Sequence, residues 1–184
     1  ALYNHLRKRW LLWTGIRWRE DDDGGVNRMG LAVARRRRLL AEEIDDKDER
    51  HKHMIWSLQS EHVSRVRGML ELAQSHIDLT DNGKQWDMDA MLMGMENGVL
   101  DLRSGKLVKS KPQLKISKST GHKFDLSAKC PNWLMTLDKM WPDNAEMIRY
   151  VQNVMGYTMT GSNREQALFC FYGDGSNGKS TLLG

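Results

Sequence analysis

Hydrophobic positions along this 184-residue chain change rhythm several times. Near the start, Trp10-Leu-Leu-Trp13 and Ile16-Arg-Trp18 flank Thr14-Gly15. Two apolar stretches around a glycine-containing turn predict a β-hairpin. The run Asp21-Asp-Asp-Gly-Gly25 then reads as a loop. A helix is expected over about 28–43, and a longer one over 50–77. In the second, Val63, Val66, Leu70, Ala73 and Ile77 recur at spacings of three and four, which gathers them on one face. Asp81-Asn-Gly83 closes that region.

The next segment is methionine-rich, from Met88 to Met95, and reads as core packing. Val99, Leu100 and Leu102 precede Ser104-Gly105, and Leu107 and Val108 follow it, which predicts a second hairpin. Residues 111–126 read as a loop with a short extended piece. From Ser127 onward helical spacing returns. Pro131 sits where a helix begins, with Trp133, Leu134, Leu137 and Met140 or Trp141 as its apolar face. Trp141-Pro-Asp143 breaks it. Asp143 or Asn144 caps another helix carrying Met147, Tyr150, Val151 and Val154, and Gly156 is expected to end it. Last, Ala167-Leu-Phe-Cys-Phe-Tyr172 is a short continuous apolar run between a polar loop and a glycine, as in a buried strand.

Composition narrows the class. Hydrophobic residues make up 40% and charged residues 28%, a balance that supports a packed core and excludes a fibrous or disordered chain. The net charge of +4 permits nucleic-acid binding without establishing it. Arg35-Arg-Arg-Arg38 is the most basic run, yet consecutive helical residues point in all directions, and the acids between 42 and 49 largely neutralise it. Trp10, Trp13 and Trp18 read as hairpin packing rather than base stacking. Cys130 and Cys170 lie far apart without a CxxC pair, so neither zinc nor a disulfide framework is indicated. His51 and His53 are two apart and fall on different helix faces, which does not suit a metal. No apolar run reaches membrane-spanning length.

One motif carries chemistry. Gly173-Asp174-Gly175-Ser176-Asn177-Gly178-Lys179-Ser180 fits G-x-x-x-x-G-K-[ST] at every fixed position. A triphosphate crowds several negative charges together. Successive backbone N–H groups in a tight loop can surround it, provided side chains do not obstruct them. Gly173, Gly175 and Gly178 remove those side chains. The helix that follows adds its unpaired N–H groups. Lys179 is expected to reach the outer phosphates, Ser180 to offer its hydroxyl to Mg²⁺, and Thr181 to support the helix start or a phosphate. The expected ligands are therefore ATP and Mg²⁺, on residues 173–181. No catalytic group is expected in the chain, because the acid that holds Mg²⁺ and the interfacial arginine lie on later elements. The chain is expected to be a fragment, stopping about one turn into the helix after the loop.

The wording around the loop is more specific than the loop itself. Tyr172-Gly-Asp-Gly followed by Asn177-Gly-Lys-Ser-Thr181 resembles the P-loop of superfamily 3 helicases, especially phage and plasmid primase–helicases. Asn97-Gly-Val-Leu-Asp-Leu-Arg-Ser-Gly105 resembles the NGVLDLRTG signature of the domain before that helicase, shared with the poxvirus primase–helicase. Cys130-Pro-Asn-Trp133, Gly156-Tyr-Thr-Met-Thr-Gly161 and Glu165-Gln166 are similar to its further segments in the same order, and Trp10 to Trp18 to the hairpin at its beginning. Ser104 and Met159 stand where threonine and leucine are usual.

The resemblance implies an α+β upstream domain over 1–126. A truncated helicase domain then begins at 127–184, with collar helices, the first strand and the P-loop of an α/β P-loop NTPase. It implies an ATP-driven replicative DNA helicase that acts on single-stranded or forked DNA, 3′ to 5′, as a homo-oligomeric hexamer. A cytoplasmic location is expected because no export signal is visible. Two other readings remain open at this point. One is an unrelated P-loop NTPase. The other is a DNA-binding or oligomerisation module, with Arg7, Lys8, Arg9, Arg17, Arg19, Arg35 to Arg38, Arg65 and Arg67 as its basic residues.

Overall fold

A computed structural model describes residues 1–173, 175 and 178–183. Among these, six α-helices and two small sheets make an α+β chain. The chain divides into two compact units by packing. The first comprises residues 1–86 and 110–117, the second 87–109 and 118–184. This partition follows contacts rather than chain order, so it differs from the expected domains 1–126 and 127–184.

In the first unit, β1 (Leu2–Asn4), β2 (Arg9–Trp13) and β3 (Trp18–Glu20) form an antiparallel meander. The expected hairpin is β2 and β3. Its turn is closed by Thr14, whose hydroxyl donates to the Arg17 carbonyl at 2.8 Å. Three helices follow, α1 (Gly25–Glu42), α2 (Lys47–Ser60) and α3 (Val63–Ala73). Then β4 (Thr80–Asp81) joins β1 in parallel, giving the order β3-β2-β1-β4. Strand alternation places Leu2, Asn4, Leu11, Trp13, Trp18 and Asp81 on one face of this sheet, and Tyr3, Trp10 and Leu12 on the other. Leu11 and Leu12 are both buried. That requires cover on both faces, and explains why the strand is a continuous apolar run.

The helices cover the Leu12 face. Asp21 starts α1 three residues earlier than its apolar pattern does. The carboxylate accepts from the Gly25 and Val26 N–H groups at 2.6 and 2.9 Å, which satisfies donors left free at a helix start. Gly30 faces α3, where an added Cβ would stand 3.2–3.3 Å from Met69, Val66 and Leu70. The expected single helix over 50–77 is instead two. Glu61 and His62 interrupt it, His62 being extended. Arg35 and Arg38 of α1 reach the Glu61 carboxylate at 3.4 and 3.6 Å. A straight helix of that length would run roughly 40 Å and leave most of itself off α1. The break lets both α2 and α3 pack on α1. Val66 is buried, whereas Ile77 lies beyond α3 and is exposed.

Residues 110–117 cover the opposite face. Trp18 is central to this contact. Its backbone N–H donates to the Ile116 carbonyl, and its indole N–H to the Pro112 carbonyl, both at 2.9 Å. Its ring meets Trp13 and Trp86 at centroid distances of 5.6 and 5.7 Å. Beside it, Asp81 accepts from the Trp86 indole at 2.7 Å, from the Gly83 N–H at 2.8 Å and from the Lys115 ammonium at 2.5 Å. Burial pushes the Asp81 carboxyl up, but Lys115, Trp86 and Gly83 together outweigh it, and its pKa lies below the ordinary aspartate value. Gly83 takes a positive φ of 83°, and a Cβ there would stand 2.6 Å from the Asn4 side-chain oxygen.

The second unit holds β5 (Leu92–Met95), β6 (Gly98–Asp101) and β7 (Lys106–Val108), an antiparallel sheet in that order. The expected second hairpin is β6 and β7, and the methionine-rich run supplies β5. Then come α4 (Pro131–Met140), α5 (Ala145–Thr158) and the short α6 (Lys179–Leu183). Asn144 caps α5, accepting from Met147 N–H at 3.0 Å. Gly156 does not stop α5, which continues to Thr158. A glycine ends a helix by turning left-handed, and Gly156 keeps negative φ. No helix among the described residues is long and apolar enough to cross a membrane.

Two outcomes follow from the Asp81 cluster. Asp81→Asn strands a largely buried ammonium, and should lower unfolding free energy in urea by about 2–3 kcal/mol. Because the native pKa is depressed, the stability Asp81 contributes is complete above about pH 4. It is lost as pH falls through the lowered native value. A urea series across acid pH should show that loss in the wild type and a flatter acid limb in the variant. Equal stability of the two proteins at neutral pH would refute the role given to this carboxylate.

Candidate functional site

The expected phosphate loop lies in the second unit. Asp174, Ser176 and Asn177 fall outside the described residues, as does the side chain of Lys179. What is described is the frame around them. Gly173 has φ 149° and Gly178 has φ 84°. The Gly178 carbonyl accepts from the Leu182 N–H at 2.9 Å, so α6 begins where the motif places a helix. Ser180 and Thr181 are exposed on its first turn. An added Cβ at Gly178 would stand 3.2 Å from the Met140 sulfur of α4. Glycine there answers both a backbone angle and a close neighbour.

The segment leading to the loop is not a strand. Residues 167–172 form no ladder with any described strand, and Leu168 and Tyr172 are 88% and 93% exposed. The continuous apolar run signalled burial, but a strand exists only against a partner that takes its hydrogen bonds. The segment is held instead from the α5 side. The Glu165 N–H donates to the Tyr157 hydroxyl at 3.2 Å, and Phe169 stands edge-on to Tyr157. Between α5 and residues 168–172 lies an apolar cavity of about 410 Å³, with Trp141, Met147, Tyr150, Val151 and Val154 on the helical side.

The nine-residue signature from Asn97 to Gly105 turns out to be structural. Asn97 exchanges two hydrogen bonds with Phe124, donating to its carbonyl at 2.8 Å and accepting from its N–H at 2.9 Å. A Cβ on Gly98 would stand 2.8 Å from the Val108 carbonyl oxygen of β7. Val99 and Leu100 are buried. Asp101 accepts from the Ser104 hydroxyl at 2.8 Å and the Arg103 N–H at 3.1 Å, and the Ser104 bond first, then the Arg103 N–H, draws its pKa down. Arg103 grips Asp89 through both guanidinium nitrogens, at 2.7 and 3.2 Å. Gly105 closes the turn with φ 65°. Serine at 104 supplies the hydroxyl that threonine would. The other segments behave alike. Pro131 occupies the first turn of α4, and the Gly161 N–H donates to the Ala90 carbonyl at 2.8 Å.

Several arginines of the DNA-binding reading are engaged within the protein. Arg35 and Arg38 hold Glu61, and Arg37 stacks over Trp56 at 3.9 Å. Arg7 and Arg9 hold Glu20, and Arg19 holds Asp22 and Asp23. Trp18 is buried, and Trp10 packs edge-on to Tyr3, as the packing reading of the tryptophans expects. Among the described residues no cluster of histidine, cysteine, aspartate and glutamate suits a metal.

The comparisons agree with the signature. Residues 2–142 match the family model described as D5 N terminal like, and the chain belongs to that primase–helicase N-terminal family. A protein of Acanthamoeba polyphaga mimivirus, provisionally named a helicase, is 33% identical over 103 residues. That alignment covers 53% of this chain and 10% of the relative, so the chain spans about a tenth of the length of the protein it matches.

The signature generates a stability prediction. Asn97→Ala breaks both bonds to Phe124, and Gly98→Ala drives a Cβ into a backbone oxygen. Each should cost about 1–3 kcal/mol by chemical denaturation. A Gly98→Ala protein as stable as the wild type would show that β6 and β7 do not approach as described.

Proposed function

We propose that this chain is part of an ATP-dependent DNA helicase of phage, prophage or plasmid replication, and that residues 173–181 are its nucleotide-phosphate loop. Membership of the D5 N-terminal-like family joined to a complete G-x-x-x-x-G-K-[ST] match in the same chain carries this reading. The positive φ of Gly178 at the start of α6 and the exposure of Ser180 and Thr181 are compatible with it.

On this reading the backbone N–H groups of the loop would hold the phosphates, and Lys179 would add a full positive charge there. The Ser180 hydroxyl would be a ligand for the Mg²⁺ that accompanies ATP. Mg²⁺ supplies charge neutralisation when bound; no hydrolytic group of this chain is assigned. Residues 127–184 begin the helicase domain, and residues 167–172 become a true strand once the sheet of the whole protein supplies its neighbours. The exposed Leu168 and Tyr172 are then buried. In the whole protein, subunits assemble as a ring, taken as a hexamer, and act on single-stranded or forked DNA.

The test is Lys179→Ala in the whole protein. ATP turnover and strand separation should fall at least about a hundredfold, the loss expected when a charge that stabilises the transferring phosphate is removed. Single-stranded DNA binding without nucleotide should persist. Unchanged ATP turnover would remove Lys179, and with it this loop, from the nucleotide site.

A further inference from the structure

Residues 102–124 are the most lopsided stretch of charge in the chain. The protein has 28 lysines and arginines against 24 aspartates and glutamates. Seven of the basic residues, and none of the acids, fall between Leu102 and Phe124. The remaining 161 residues therefore carry 21 basic and 24 acidic groups, a net charge of −3. The whole positive excess belongs to one short stretch.

The structure separates its structural cations from its unengaged ones. Lys115 is bound to buried Asp81, and Arg103 to Asp89. Lys106, Lys109, Lys111, Lys118 and Lys123 are exposed, and none forms an ion pair among the described residues. In the second unit, Lys106 and Lys109 lie on and just after β7, one edge of the sheet. Residues 118–123 run beside the other edge. The Thr120 N–H donates to the Gly94 carbonyl of β5 at 3.0 Å, and the Glu96 N–H to the His122 carbonyl at 2.8 Å. Across three strand spacings the two edges are roughly 14 Å apart.

We propose that the two edges of the second unit's sheet, residues 106–109 and 118–123, are a contact surface for the sugar–phosphate backbone of single-stranded nucleic acid, with Lys106, Lys109, Lys118 and Lys123 as its phosphate-binding groups. The proposal names the surface for the DNA partner in the reading above, and rests on that reading. Several features favour this partner over others. Lysine is a mobile point charge suited to phosphates without regard to sequence. Charges set at two edges of a narrow sheet suit a flexible single strand better than a rigid duplex. The stretch forms strand, 3-10 turn and loop rather than an amphipathic helix, so it lacks the usual membrane-surface element.

The experiment uses the whole chain, a variant with Lys106, Lys109, Lys118 and Lys123 all changed to glutamine, and a control with Arg36→Gln and Arg65→Gln, two exposed arginines without an ion pair among the described residues. Anisotropy of a labelled oligothymidine is titrated at several salt concentrations. The wild type should bind with a strong salt dependence. The four-lysine variant should lose at least about tenfold in affinity, and its log–log salt slope should shrink by about 3, near 0.7 for each phosphate contact removed. The control should stay within about twofold of wild type. Circular dichroism melts check that the variant keeps its fold, which surface lysines without partners should not disturb. ATP turnover by the whole protein is measured in parallel. Its absence together with lysine-dependent oligothymidine binding would sink the nucleotide reading and leave this surface standing. Equal binding by the four-lysine variant would overturn the surface. So would wild-type chain that binds phosphatidylserine vesicles but no oligothymidine.

Discussion

The return of residues 110–117 over the first sheet is the constraint on which the first unit depends. That sheet is narrow, and its strands are only two to five residues long. A sheet so small gains stability only when both faces are covered. Helices provide one cover; the other comes from a segment about ninety residues further along. Trp18 ties the strand to that segment through two hydrogen bonds, and the Asp81–Lys115 pair closes the side of the contact. The pair works because Asp81 also receives Trp86 and Gly83, so its buried charge has three donors rather than one.

This arrangement also explains why the compact units do not follow chain order. The β5-β6-β7 sheet is inserted between Trp86 and the returning segment. Its signature residues are occupied with their own turn. Asn97 fastens the loop after the sheet, Gly98 lets two strands approach, and Asp101, Arg103 and Ser104 lock a tight corner. A pattern that identifies the primase–helicase N-terminal family is thus explained by packing rather than by chemistry. The same holds for Pro131 and Gly161.

Charge is distributed with a similar division of labour. The arginines that make the sequence look like a nucleic-acid binder are spent on internal ion pairs, most visibly Arg35 and Arg38 on the Glu61 that breaks the long helix. Individually such exposed pairs add little stability, but they engage Arg7, Arg9, Arg19, Arg35 and Arg38, while Arg36, Arg65 and Arg67 form no ion pair among the described residues. The lysines after β6 are the opposite case, since no acid falls between Leu102 and Phe124. Absence of acids, rather than density of bases, distinguishes the two.

From sequence alone, periodicity and turn chemistry determined both hairpins and the starts of α4 and α5, because these depend on neighbours within a few residues. The phosphate-loop pattern and the family signature were equally legible, since their spacing is local. Tertiary structure decided what depends on distant partners. The helix over 50–77 breaks at Glu61 because α1 offers arginines there and a surface to pack on. Gly156 stays helical because its φ remains negative. Residues 167–172 are apolar enough for a strand, yet form none without a neighbour to take their hydrogen bonds. The pairing of β1 with β4, and of Asp81 with Lys115, joins residues that carry no mutual signal along the chain. Local geometry can be read from adjacent residues; burial, and the sharing of charge and hydrogen bonds, are settled only when remote segments meet.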